Sequence, residues 1–120
     1  MPLTVSGHGT TNRFSVEVAK TPADQERGLM FRQSLAPDRG MIFPFAAPVR
    51  ATFWMKDTLI PLDLIFVRAD GTIANIAANA RPMDLSMIPS DGPVSAVLEI
   101  AGGRAAELGI RAGDRVRWKE

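Results

Sequence analysis

Leu62-Asp63-Leu64-Ile65-Phe66-Val67, the turn Asp70-Gly71 and the return Thr72-Ile73-Ala74-Asn75-Ile76-Ala77 decide the fold. The first six residues form a strongly β-prone run, apolar except for Asp63, of the kind buried on both faces of a sheet. Asp70-Gly71 is a favoured hairpin turn, so Thr72 to Ala77 reads as the next strand. Outward from this hairpin the same logic recurs. Phe14, Val16 and Val18 alternate with Arg13, Ser15 and Glu17, the period-2 pattern of a half-buried strand. Leu3-Thr4-Val5 is a second strand, with Gly7 to Asn12 as the turn between them. Met41, Phe43 and Phe45 also alternate, and Pro44 among them argues for an edge or a bulge. Ala51 to Lys56 reads as a strand with Phe53 and Met55 on one face and Thr52, Trp54 and Lys56 on the other. Val94 to Ile100 and Arg115 to Trp118 complete the set.

Two short helices interrupt the strands. Thr21 is a good N-cap, Pro22 suits the first turn and Asp24 faces the helix's positive end, so a helix runs through Gln25-Glu26-Arg27 and stops near Gly28. Arg104 to Leu108 forms another, closed by Gly109 in a left-handed cap with Ile110 packing back. Residues 80–94, with Pro82, Pro89, Gly92 and Pro93, read as a long loop. The expected architecture is mainly β: a compact β-sandwich or barrel-like domain with two short helices. Residues 1–120 form a single domain, in which 1–12 are an N-terminal strand and turn, partly mobile.

Composition removes several function classes. The 120 residues hold no Cys and one His, which excludes disulfides, thiolate catalysis, cysteine-bound zinc and multi-histidine metal sites. Net charge is +1, from 14 Lys and Arg against 13 Asp and Glu, scattered along the chain. No basic stripe of the kind that binds nucleic acid is evident. No apolar run is long enough for a membrane span, and Met1-Pro2-Leu3-Thr4-Val5 carries no export signal.

Several segments occur in the order of one known family: Val16-Glu17-Val18-Ala19, Gly28-Leu29-Met30-Phe31-Arg32, Gly40-Met41-Ile42-Phe43, the eleven residues Phe53 to Asp63, and Val97-Leu98-Glu99-Ile100. From about Phe14 to Trp118 the chain resembles the bacterial and archaeal family called domain of unknown function 192. The resemblance implies a compact β-rich domain without an established activity. Many relatives carry a signal peptide or lipoprotein leader, which implies an exported or periplasmic protein. Asp57 stands where the family usually has Asn, adding a negative charge beside Lys56.

The stretch from Trp54 to Asp63 sets an indole, a cation, a hydroxyl and a carboxylate within the most apolar part of the chain. An unpaired buried ammonium would cost several kcal/mol, so Lys56 must reach water, pair with Asp57 or Asp63, or hold an anion. Two readings follow. Lys56 and Asp63 form a strand-end ion pair, or Trp54, Lys56, Thr58 and Asp63 line a ligand site, with Arg32 as a further carboxylate clamp. The leading expectation is a binding module of the bacterial cell envelope, more a binder than an enzyme. It takes a small polar ligand or a protein partner and needs no cofactor. Two alternatives stand beside it. One is a carboxylate-dependent hydrolase acting on a saccharide, drawing its acids from Glu17, Asp63 and Glu99. There Glu99 is equally a partner for Arg32. The other is a soft-metal (copper) protein using Met30, Met41, Met55, Met83 and Met87.

Overall fold

The computed structural model describes residues 1–119. Its strands are β1 (Pro2–Gly7), β2 (Thr10–Val18), β3 (Arg39–Phe53), β4 (Leu62–Val67), β5 (Ile73–Ala80), β6 (Ile88–Ala101) and β7 (Arg115–Trp118), with helices α1 (Pro22–Arg27) and α2 (Arg104–Leu108). All seven strands belong to one sheet in the order β5-β4-β6-β3-β2-β1-β7. The sheet curls until its outer strands approach. Thr72 bridges Arg115, the Ile73 amide donates to the Asp114 carbonyl at 2.8 Å, and the Val116 amide donates to the Gly71 carbonyl at 2.8 Å. The result is a half-barrel tied at one end, so the barrel-like expectation holds and two stacked sheets do not form.

Local chemistry accounts for the elements. Thr21 accepts the Asp24 amide at 3.0 Å, Pro22 opens α1, and Gly28 closes it. β2 and β3 pair in parallel, which requires a crossover, and residues 19–38 with α1 provide it. The segment 1–12 supplies β1 and the start of β2, joined by a two-residue turn in which His8 and Gly9 both have positive φ. Gly109 ends α2 at φ 69°, and the Ile110 amide donates to the Ala105 carbonyl.

The curl creates two apolar clusters. Inside lie Leu3, Phe14, Ile42, Ile65, Leu98 and Ile100. Outside, beneath α1 and the loops, lie Leu29, Phe43, Met55, Leu64, Phe66 and Val97. Every residue of β4 is buried, because the strand separates the two clusters. Each large side chain so enclosed contributes about 1.5–3 kcal/mol.

Several boundaries differ from the sequence reading, the strands expected around Met41–Phe45 and from Ala51 being one continuous β3, and two differences bear on the site. β6 begins at Ile88, so the loop shrinks to residues 81–87 and Pro89 to Pro93 lie within a strand. The prolines are tolerated because β4 pairs with β6 only from Ala96 onward, leaving residues 88–95 with β3 as their one ladder partner. Pro44 benefits similarly: β2 pairs with β3 only as far as Ile42, and a bulge follows Pro44. The strand expected over Ala51 to Lys56 ends at Phe53, after which Trp54 to Ile60 is a turning loop.

Asp63 is fully buried on the inner face and satisfied by backbone. Its Oδ1 accepts the amides of Asn79 at 2.7 Å and Gly103 at 3.0 Å, and its Oδ2 accepts that of Ala105 at 2.8 Å. The carboxylate thereby holds the start of α2 and the end of β5. Lys56 is not its partner. Asp63→Ala strands these amides in a dry interior, and urea denaturation is expected to register a loss of about 2–4 kcal/mol.

Candidate functional site

The distal halves of β3 and β6 pair only with each other and form a ribbon over the outer face of the sheet. α1 faces this ribbon. Gln25 pins it there, its amide donating to the Ala19 carbonyl at 3.0 Å and the Pro44 carbonyl at 2.8 Å. Between helix and ribbon opens a groove of about 360 Å³, walled by Phe43, Phe45, Phe53, Trp54 and Thr58, with Gln25, Glu26 and Arg27 along the helix side. Phe43 and Phe53 meet edge to face at 5.3 Å between ring centroids.

Glu99 lies in the groove lining. Leu98 and Ile100 turn inward, so β6 alternation sends Glu99 to the outer face. It is 5% exposed, and no hydrogen bond or ion pair reaches its carboxyl among the described residues. Loss of hydration is the sole cause acting on it, and pushes it up to about 8 from the ordinary 4.5. At neutral pH the group is mostly an uncharged acid, able to donate one hydrogen bond and accept another. Gly40 makes this packing feasible, since a Cβ there would collide with the Glu99 carbonyl.

The register disposes of two expected pairings. Asp63 lies opposite Ile100 and Leu64 opposite Glu99, so the two acids project from opposite faces and cannot act together. Arg32 does not meet Glu99 either. Its guanidinium donates to both oxygens of Glu17, at 2.7 and 2.9 Å, and this pairing holds the Glu17 carboxyl below its usual range. Glu17, Met41 and Glu99 do form one cross-strand row on the outer face, but Glu17 borders a separate hollow with Arg32 and Met41.

Of the residues singled out in the sequence, Trp54 and Thr58 line the groove and Lys56 stands just beyond it. Trp54 is 45% exposed and forms a partition: it also borders an adjoining hollow of about 420 Å³ with Met30, Phe31, Lys56 and Asp57. The Lys56 ammonium is exposed to water and lies 5.3 Å from the centre of the Trp54 ring. The buried Thr58 hydroxyl donates to the Lys56 carbonyl at 3.1 Å. Glu99 was legible only as an acid within an apolar strand.

The rim is stitched by backbone. Phe31 donates its amide to the Asp57 carbonyl at 2.8 Å, Met83 to the Thr58 carbonyl at 3.0 Å, and Met55 to the Asp84 carbonyl at 2.8 Å. Phe31, Asp57 and Met83 all hold left-handed backbone, at φ 64°, 53° and 65°. Such a conformation strains a bulky residue and suits Asn or Asp. The Asn that the family resemblance implies at position 57 would meet the same backbone requirement that Asp57 meets. The methionines divide: Met41 and Met55 pack in the outer cluster, while Met83 and Met87 stand exposed on the 81–87 loop. Among the described residues, no group of three His, Cys, Asp or Glu is placed to hold a metal.

Two expectations follow. Between pH 4.5 and 8 the folded protein retains the Glu99 proton that the unfolded chain has lost, so this group lowers stability as pH rises and levels off above 8. Glu99→Gln removes the decline, and urea denaturation at pH 5 and 8 is expected to find its advantage over the parent growing by on the order of 3–5 kcal/mol. An advantage that stays constant means the carboxyl is solvated. Asp57→Asn is expected to shift stability by less than about 0.5 kcal/mol, and Asp57→Val to cost about 1–2 kcal/mol, read by thermal melting.

The sequence profile of the family DUF192, described as Uncharacterized ACR, matches residues 3–118. A crystal structure of a protein of unknown function from Novosphingobium aromaticivorans DSM 12444 superposes with a TM-score of 0.96 at 53% identity, covering 98% of this chain and 84% of that one. A second, from Sinorhizobium meliloti 1021, bears only a provisional name, as a transcription regulator. It superposes with a TM-score of 0.94 at 40% identity, covering 97% of this chain and 91% of that one. No curated protein matches the chain. This chain belongs to the family of domain of unknown function 192, whose members have no established reaction.

Proposed function

We propose that this protein is a non-catalytic binding module of the cell envelope that takes a small organic ligand into the groove between α1 and the β3–β6 ribbon. The observation carrying the proposal is Glu99: a carboxyl 5% exposed, without a partner among the described residues, facing a groove walled by aromatic rings. Concave sites of a few hundred Å³ that mix apolar walls with a few polar groups are the usual form of small-molecule sites. Trp54 supplies the flat wall, Thr58 borders the polar floor, and Lys56 extends the site along the rim. Envelope location is part of the proposal and rests on the leaders carried by relatives.

Catalysis is less well supported. Asp63 is enclosed by three backbone amides, and both oxygens of Glu17 are taken by Arg32. Ser90 is likewise engaged, accepting the Ala51 amide and donating to the Gly92 carbonyl. Nor does the Sinorhizobium protein's provisional name transfer readily. Arg13, Arg115 and Arg117 lie on the outer face of β2-β1-β7, but three cations are few against the roughly 6–10 phosphate contacts of a DNA-binding surface.

The indole N–H signals of Trp54 and Trp118 give an internal comparison by NMR, since Trp118 packs against the inner cluster, away from the groove. On titration with sugars, small anions, amines and envelope extracts, the Trp54 signal is expected to move and that of Trp118 to stay. Trp54→Ala is expected to weaken binding about tenfold or more. Silence of the Trp54 signal across the whole panel removes the basis for a site here.

A further inference from the structure

Resting on the groove as a binding site, the geometry points to its ligand class: an organic ammonium compound, its cation seated on the Glu99 carboxylate and enclosed by Phe43, Phe53 and Trp54. The floor supports this first. Glu99's immediate neighbours across the strands are Met41 and Leu64, both apolar, and Glu17 farther along the row borders a separate hollow where Arg32 holds it. Among the groove-lining residues, β3 brings only Phe43, Phe45, Val49, Ala51, Thr52 and Phe53, none of them charged. The loop after β3 brings Trp54 and Thr58. The helix brings Glu26 and Arg27, both exposed, at the mouth.

Three kinds of ligand head can be weighed against that lining. An anion would meet a carboxyl on the floor, with the one cation of the lining, Arg27, out at the exposed mouth. A neutral head would gain a hydrogen bond from the acid but use nothing of the ring faces beyond their apolarity. A cation gains twice. It converts an unpaired buried acid into an ion pair in a place of low polarity, and aromatic faces attract it through their negative quadrupoles. Trp54 already has one cation near its ring, the Lys56 ammonium at 5.3 Å on the side of the adjoining hollow. Arg27 at the mouth limits the ligand to one cationic head with a neutral or acidic remainder. Burial keeps a proton on the empty site, so a bound cation displaces it to solvent and affinity rises with pH until about 8.

Choline and its uncharged isostere 3,3-dimethylbutan-1-ol separate charge from shape. In NMR titrations followed at the Trp54 indole, choline is expected to bind at least about tenfold more tightly than the isostere at pH 8.5. It is also expected to bind about twentyfold more weakly at pH 6.5 than at pH 8.5, with close to one proton released near neutrality in calorimetry. The isostere is expected to show no such pH dependence in proton release. Glu99→Gln, checked for folding by its melting curve, is expected to erase the preference, and Trp54→Leu to weaken choline without changing the proton count. If both compounds bind equally, or if Glu99→Gln leaves choline affinity unchanged, the ammonium assignment is overturned while the groove stands as a binding site. If neither compound binds, the assignment also falls, and the wider panel of sugars, anions and extracts then decides whether the groove binds anything.

Discussion

A sheet covered on both faces has nowhere to put a polar side chain except against a partner or an opening. This constraint governs β4 and β6, the adjacent strands that divide the inner cluster from the outer one. Where the two strands pair, β4 carries Asp63 and β6 carries Glu99, each within a largely apolar run, and the register sends the two to opposite sides. Asp63 faces inward and is met by three backbone amides, so its charge is absorbed by the start of α2 and the end of β5. Glu99 faces outward, is met by no donor, and retains its proton instead. The same physical requirement thus has two solutions one strand apart. The first builds the fold, while the second sets an uncharged acid in the groove lining.

The contrast also marks how far the sequence could be read. The run Leu62 to Val67, the Asp70-Gly71 turn, the Thr21 cap and the Gly109 cap announce themselves through local chemistry, and each lies where that chemistry places it. The start of β6 was hidden, because Pro89 and Pro93 signal a loop unless one knows that this half of the strand lacks a second neighbour. The closure through Thr72 and Arg115 was hidden for a similar reason: it joins strands from opposite ends of the sheet order. At the site, the motif Trp54 to Thr58 was legible as unusual, yet its partners were not. Arg32 and Glu99 are both conspicuous, and only the parallel pairing of β2 with β3 gives Arg32 to Glu17 rather than to Glu99.

The rim shows why the motif looks as it does. Three loops far apart in sequence meet around Trp54 through backbone hydrogen bonds, at residues whose left-handed conformations are unfavourable for most side chains. A wall built from backbone is positioned before any ligand arrives, which reduces the ordering that binding would otherwise require. Phe31 is the extreme case, an aromatic residue in the left-handed region and 63% exposed. It lies in the adjoining hollow, on the far side of the indole from Glu99.

Stability alone does not account for the groove. Filling the Glu99 position with an apolar side chain would remove a dehydrated acid from beside the outer apolar cluster, and closing the ribbon onto α1 would bury more of the aromatic wall. Both changes would stabilise the fold. The molecule instead has a groove beside the point where Gln25 ties α1 to the Pro44 carbonyl, and keeps Trp54 half-exposed between two hollows. On the proposed reading these features cost free energy that a ligand in the groove offsets. An arrangement that is unfavourable empty and complementary to a specific chemistry when filled is what a binding site requires. By the same criterion Asp63, the more deeply buried acid, is no site: every one of its demands is already met within the chain.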